Sequence, residues 1–396
     1  MRFLHSADWH VGRTMRGRSR VAEFEQVLAE VVGIARAEHV DALLVAGDVW
    51  DSQTPPPEAD RLVYDALRQC IDGGIQVVLL AGNHDSARKL EGLGLLSELL
   101  GVQTQSKLLR PDGGGVLTIE GRAGETARIA AVPFVAEGRV VDAAAVMELQ
   151  EQWFASYADG VARIYAAMCA GFDAGAVNLL LGHVFIDGAR VATVDGSERL
   201  VHIGQTYALP AQRLPASAQY VALGHVHEPQ ELQGAPVPAA YAGSLLQLDF
   251  GERGQQKVVR LVEASAGRPA TQRAIPLHSG RALLELRGTL DSVLAAAERA
   301  GDAHLRVVLD VERPEPGLAQ RVREQLPGAV DVRLDYPSTE EEAPVGIAHL
   351  QPEELFARYY VQQHGAAPAV ELLALFRELH EQVLAEEAAL VAEPVA

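Results

Sequence analysis

The chain has 396 residues, 48% of them apolar, with ordinary glycine and proline content. It is too long for a single core and too apolar for wholesale disorder, so one large domain with one or two smaller units is expected. A formal charge of −19 argues against coating nucleic acid by bulk electrostatics, an objection softened where bound divalent cations add local positive charge at a phosphate site or a partner subunit carries the main nucleic-acid-binding surface. Cys70 and Cys169 are too few and too far apart for a disulfide framework or a thiolate metal site. No apolar run approaches bilayer length and the first residues lack a signal-peptide pattern, so a cytoplasmic protein is expected.

In chain order, apolar runs of strand length at 3–7, 42–46, 75–81, 128–132, 177–181 and 220–223 alternate with helical spacing at 21–39, 59–71 and 140–172, the last as one or two longer helices. This is the pattern of a layered α/β domain. Gly73 and Gly74 stop one helix before the next strand. Strand-like text continues from 241 to 263, and the large domain is expected to span 1–275. A small α/β module follows over 279–336, reading strand, helix, strand, helix, strand at 281–287, 290–300, 304–312, 317–326 and 330–335. An acidic linker over 337–350, with Glu340, Glu341 and Glu342 in a row, separates it from a helical pair over 351–391. Leu355, Phe356, Tyr359 and Tyr360 share one helical face; Leu372, Phe376, Leu379 and Val383 share another, with Gly365 as the stop between them.

Five strand-like runs end directly in groups able to bind metal: Asp8-Trp9-His10, Gly47-Asp48, Gly82-Asn83-His84-Asp85, Gly182-His183 and Gly224-His225-Val226-His227. The carboxyl ends of strands in open α/β sheets are rigid and carry free loops, so sites form there. Each text alone is ordinary turn chemistry. Together they hold five of the thirteen histidines, a residue that turn formation does not favour. Asp8, His10, Asp48, Asn83, His183, His225 and His227 are too many donors for one ion. Their mixed oxygen and nitrogen character points to two ions of manganese, iron or zinc rather than calcium or magnesium. A bridging carboxylate between two such ions suits phosphoryl chemistry.

These texts, in this order, resemble the signature of the calcineurin-like metallophosphoesterases. The resemblance implies a layered sheet sandwich flanked by helices, with Asp8, His10, Asp48 and His227 on one metal and Asp48, Asn83, His183 and His225 on the other. Asp48 then bridges, and His84 faces the scissile phosphate as oxyanion stabiliser or proton donor. Asp51 matches the position from which many relatives orient that histidine, although some archaeal nucleases of the group carry histidine there. Asp85 reads equally well as a loop or cap residue.

Protein phosphatases of the superfamily carry arginines after the second motif and before the third, and both places lack them here. Longer stretches, His5 to Gly12, Gly47 to Pro57, Val201 to Gly204 leading into the last motif, and Tyr241 to Ser244, are similar instead to the nuclease subunits of bacterial repair complexes built on an SMC-like ATPase. That similarity implies a manganese-dependent 3′–5′ exonuclease on duplex DNA ends and an endonuclease on single strands and hairpins. It also makes the small module a capping domain and the helical pair the element that grips the coiled coil of the ATPase. A stand-alone nucleotide phosphodiesterase and a catalytically silent scaffold of the same fold remain the alternatives. Arg13, Arg16, Arg18 and Arg20 after the first motif, with Arg88 and Lys89 after the third, are expected to meet a DNA backbone from two sides. A homodimer is expected through 60–70 and 88–100, where Leu90, Leu93, Leu95, Leu96, Leu99 and Leu100 crowd one short span. It would give a heterotetramer with the ATPase.

Overall fold

The computed structural model describes residues 1–97, 101–148, 156–191, 208–313, 317–336, 352–364, 368–377 and 379–380. Met1–Asp335 forms one compact unit and Tyr336–Ala396 a second.

The first unit opens with β1 (Arg2–Ser6), α1 (Val21–Ala37), β2 (Ala42–Val45), α2 (Pro57–Asp72), β3 (Gln76–Leu80), α3 (Ala87–Ser97) and β4 (Val102–Gln105). The four strands pair in parallel, in chain order. Next come β5 (Val116–Glu120), β6 (Thr126–Val132), α4 (Val140–Val146), α5 (Tyr157–Cys169), β7 (Val177–His183), β8 (Tyr220–Gly224), β9 (Gln230–Glu231) and β10 (Ala239–Tyr241). They build a second sheet in the order β5-β6-β7-β8-β10-β9. The chain then returns to the first sheet through β11 (Val258–Ser265) and β12 (Arg268–Pro276), antiparallel on the free side of β1.

Strand periodicity sets the layering. Phe3, Leu44, Val78 and Leu80 of the first sheet pack with Ile129, Leu179, Leu181 and Ala222 of the second in one shared core. Their neighbours along the strands, Leu4, Leu43, Val45, Val77 and Leu79, instead face Phe24, Val27, Val31, Leu62 and Ala66 of α1 and α2. On the other side Ala130, Val132, Leu180, Val221 and Leu223 meet Ile164, Tyr165 and Met168 of α5. Because successive side chains point to opposite faces, strand segments buried on both sides must be apolar throughout, as β2 is and as β3 is from Val77 onward. The result is helix, sheet, sheet, helix. His5 is a polar exception between the sheets: its Nε2 donates to the Leu223 carbonyl at 3.1 Å, and Nδ1 lies 3.1 Å from the Tyr220 hydroxyl. Burial, reinforced by Arg260, pushes its pKa down to about 3.

The helical text at 140–172 becomes two short helices. Ser156 caps the second, accepting from the Asp159 amide, and residues 149–155 between them lie outside the described residues. The module that follows is a parallel sheet of β13 (Leu283–Gly288), β14 (His304–Asp310) and β15 (Ala329–Asp335) with α6 (Leu290–Ala297) and α7 (Leu318–Gln325). It has a core of its own around Val293, Leu305, Val307, Leu309 and Val322. A buried polar joint ties it to α1: Glu23 accepts from His304 Nε2 at 2.8 Å, from the Arg281 amide at 3.0 Å, and from Arg20 at 2.8 and 3.1 Å.

In the second unit, α8 (Pro352–His364) packs on a further helical stretch at 370–377. Phe356 and Phe376 stack with centroids 4.4 Å apart. Leu355, Tyr359, Val361, Val370, Leu375 and Leu379 are exposed. Val383 and the acidic linker fall outside the described residues. Among the described residues no helix is long and apolar enough to cross a membrane.

Candidate metal centre

β1, β2, β3, β7 and β8 all run in the same sense within their sheets, so the five ligand-type texts emerge together at their carboxyl ends. Glycine precedes four of the five, and two close approaches show why. A Cβ on Gly82 would collide with the Asp48 carboxylate and amide, and one on Gly224 with the Ala46 carbonyl and the His183 ring. The backbone pays locally for the convergence: Asp8, His10, Asp48 and His225 have φ of 48°, 47°, 52° and 101°, a region that non-glycine residues avoid unless the surroundings force it.

The side chains meet closely. Donor atoms of Asp8, His10 and His227 lie within 4.8 Å of one another, as do those of Asp8, Asp48 and His183 and those of His10, Asp48 and His84. The Nε2 atoms of His10 and His227 face each other at 3.2 Å. Asp48 Oδ2 is 3.6 Å from His10 Nε2 and 3.5 Å from His183 Nε2, so it stands between two groups of imidazoles. Asn83 Oδ1 is 3.0 Å from both His183 Nε2 and His225 Nδ1.

This donor set fits two divalent ions. Two imidazole nitrogens pointed at each other repel unless a proton or cation lies between them, and nitrogens bound at about 2.0–2.1 Å to one ion naturally stand at such a separation. Asp8, Asp48, His10, His183 and His227 are all buried, and such a concentration of polar donors is not built to be left without a cation. Burial by itself disfavours charge on both Asp48 and His183. The pair nevertheless sustains it, Asp48 held well below the usual carboxylate range by His183 and His10, and His183 raised to about 9 by Asp48.

Surrounding groups hold the donors in place. The His183 Nδ1 donates to the Ala46 carbonyl at 2.7 Å, and that of His227 to Glu252 Oε1 at 3.0 Å. Asp8 accepts from the His225 amide at 2.9 Å. Asp85 is buried and accepts from the amides of Trp50 at 3.0 Å, Gly82 at 2.9 Å and Val49 at 3.2 Å, stitching the second ligand loop to the third. Burial and the nearby Asp48 raise its pKa to about 6. His84 is bound twice: its amide donates to Asp48 Oδ1 at 2.8 Å and its Nδ1 to the Asp51 main-chain oxygen at 2.8 Å. Asp51 therefore contacts His84 through its backbone. Its carboxylate lies 3.4 Å from His10 Nδ1 and 3.1 Å from Arg13 Nη1.

Two expectations change here. The basic loop after the first motif is largely committed within the protein. Arg13 pairs with Asp51, Arg16 with Asp249 and Asp331, Arg18 with the Pro327 and Ala329 carbonyls, and Arg20 with Glu23. Lys89 pairs with Asp60 and lies 4.9 Å above the Trp50 ring; Arg88 is exposed. Arg13, Arg16 and Lys89 thus meet acids, and Arg18 carbonyls, from distant parts of the sequence, whereas Arg20 meets an acid three residues on. Leu90, counted among the surface leucines, is fully buried in the first core, and Leu93 packs against it. Leu95 stays 79% exposed, while residues 98–100 lie outside the described residues. Glu252 escaped sequence reasoning because it sits in a turn 25 residues beyond His227 with no motif of its own.

A family model described as calcineurin-like phosphoesterase matches residues 1–229. A second, described as Type 5 capsule protein repressor C-terminal domain, matches residues 279–364. Among curated proteins, the chain is 31% identical to the SbcD subunit of the SbcCD nuclease of Bacillus subtilis, over 98% of this chain and 100% of that protein. It is 34% identical to the Rhodobacter capsulatus protein of the same name, over 90% and 94%. To that of Escherichia coli K12 it is 31% identical, over 79% and 78%.

Proposed function

Since the chain belongs to the calcineurin-like phosphoesterases and, within them, to the SbcD nuclease subunits, we propose that it is a metal-dependent DNA nuclease acting with the ATPase SbcC. Its substrates are duplex ends, degraded 3′–5′, and single strands and hairpins, cut internally, in DNA repair, recombination and replication. The observation that carries the reading is the convergence of carboxylate, amide and imidazole donors from five strand ends, with Asp48 between the imidazoles of His10 and His183.

In this reading Asp8, His10, Asp48 and His227 would hold one ion, and Asp48, Asn83, His183 and His225 the other, manganese being the metal proposed. Two bound divalent ions would supply Lewis-acid activation and neutralise charge on the phosphoryl oxygens. The protein's own contribution is placement. Glycines at 47, 82 and 224 let the ligand loops approach, and buried hydrogen bonds from Nδ1 fix the rings of His183 and His227. Because His84 Nδ1 is engaged by the Asp51 carbonyl, Nε2 is the atom that exchanges a proton, and an Nε2–H donates to the leaving oxygen of the cleaved ester. Asp51 supports that histidine through its main chain.

The exposed apolar residues of the helical unit support its reading as the SbcC-binding element at 351–391. The capping domain is assigned to 279–336, the nuclease domain to 1–275 and the linker to 337–350. A homodimer across α2 and α3, displaying Tyr64 and Leu95, would make a heterotetramer with SbcC, in the cytoplasm and at the nucleoid when on DNA. Light scattering at micromolar concentration tests the dimer.

The deciding assay incubates the purified chain with end-labelled duplex and hairpin DNA and Mn²⁺, with and without SbcC and ATP, beside a small phosphodiester. Loss of DNA is expected. Hydrolysis of the small diester alone would assign a stand-alone phosphodiesterase, and no hydrolysis of either a silent scaffold.

A further inference from the structure

The imidazoles of the site are not backed alike. His183 leans on a neutral main-chain carbonyl, that of Ala46, at 2.7 Å. His227 leans on a carboxylate, Glu252 Oε1, at 3.0 Å. Glu252 is 1% exposed, and a carboxylate so deeply placed persists as an anion only if it is paired. The pairing is present: Lys257 Nζ donates to Oε2 at 2.8 Å, and the Leu248 amide donates to it at 3.0 Å. Lys257 is itself buried and also donates to the His227 carbonyl at 3.0 Å and to Gln255 Oε1 at 2.8 Å. Ring, carboxylate, ammonium and carbonyl thus close a loop in which His227 is held at both its side chain and its backbone.

We infer that Glu252 is a positioning residue for His227: its buried carboxylate, kept ionised by Lys257, fixes the imidazole with Nε2 facing His10 and strengthens the ion held at that end of the site. This rests on the dimetal reading above. With Nδ1 committed as donor to Glu252, the Nε2 lone pair is the one left to coordinate, and it lies 3.2 Å from the Nε2 of His10. A carboxylate behind an imidazole also makes it a more basic ligand, whereas a neutral carbonyl does so less. The Asp8 end adds a second carboxylate where the opposite end has the amide oxygen of Asn83. The two ions are therefore bound unequally, and Glu252 acts on one of them.

The test is a Mn²⁺ titration of the full chain by calorimetry and electron paramagnetic resonance. Glu252→Gln is expected to weaken one ion by about 10- to 100-fold and to leave the other as in the parent. Unchanged binding of both ions, or equal weakening of both, would overturn the inference. Asp48→Asn serves as the control: if it too leaves both ions bound, the dimetal reading itself has failed, and if it loses both while Glu252→Gln loses neither, only the role of Glu252 has failed. Glu252→Gln leaves the Lys257 ammonium buried with a weaker partner, so Glu252→Gln/Lys257→Met removes both charges, and the same loss at one ion is expected. Nitrogen-15 shifts of His227 in the parent chain, assigned by their disappearance in His227→Asn, need no altered Glu252 at all. A proton on Nδ1 supports the inference, and a proton on Nε2 in the metal-free protein would overturn it.

Discussion

His84 Nδ1 donates to the main-chain oxygen of Asp51 at 2.8 Å, while the Asp51 side chain points to Arg13 and His10. The residue that holds the proposed proton donor does so with an atom that every amino acid possesses, so position 51 tolerates replacement as far as His84 is concerned.

The two substitutions should therefore separate. His84→Gln is expected to bind both metal ions and lose hydrolysis by roughly 10²- to 10⁴-fold, the usual size of a general-acid contribution. Asp51→Ala is expected to lose less, because the carbonyl remains. Turnover of labelled duplex DNA, measured beside a metal titration of each variant, decides the matter; loss of both ions in His84→Gln would remove it from the proton-donor role.

Asp48 lies between both groups of imidazoles, and Gly82 leaves the space that its carboxylate occupies. Asp48→Asn is expected to weaken both ions. Gly82→Ala should do nearly the same without touching a ligand, since the new methyl must displace the carboxylate or the Asp48 backbone. Calorimetry would register this while circular dichroism stays that of the parent. Normal binding of two ions by the Gly82→Ala variant would show that the loop has room to move.

Acid should loosen the fold in two stages. His5 is buried with its pKa pushed down to about 3, so the neutral form is the folded one, and its contribution is intact above about 6.5 and lost as pH falls toward 3. Glu23 is held at about 2: burial raises it, but His304 and Arg20 more than offset that. Its contribution is present above about 4.5 and disappears as pH approaches 2. Each is expected to amount to a few kcal/mol at most, less for Glu23 after solvent screening. Urea melts from pH 7 to 3 should show His5→Gln flattening the upper stage and Glu23→Gln the lower one. Parallel curves for all three proteins would refute both assignments.

A chain ending after residue 344 lacks the helical unit, which forms a compact body separate from Met1–Asp335. It should fold and bind metal like the full chain yet fail to copurify with SbcC. Retention of SbcC with unchanged affinity would assign partner binding elsewhere.

The ligand texts were legible in the sequence because their information is local: each is a strand end followed at once by a metal-type side chain, in four of the five after a glycine. The continuous apolar character of 42–45 and 77–80 likewise marked them as strands, and it fits the burial on both faces that the fold gives them, since a strand covered on both faces cannot alternate with polar residues. Edge strands such as Val102–Gln105 carried no such signal: β4 has one neighbour and a largely polar text.

What only the tertiary structure decided is pairing at long range. Glu252 behind His227, His304 against Glu23, and Arg16 and Arg18 tied to the three-stranded sheet join residues from 25 to more than 300 positions apart. Charge in a sequence has sign but no address. A loop of four arginines is equally suited to DNA phosphates or to the protein's own acids and carbonyls, and only the fold brings those acids and carbonyls within reach.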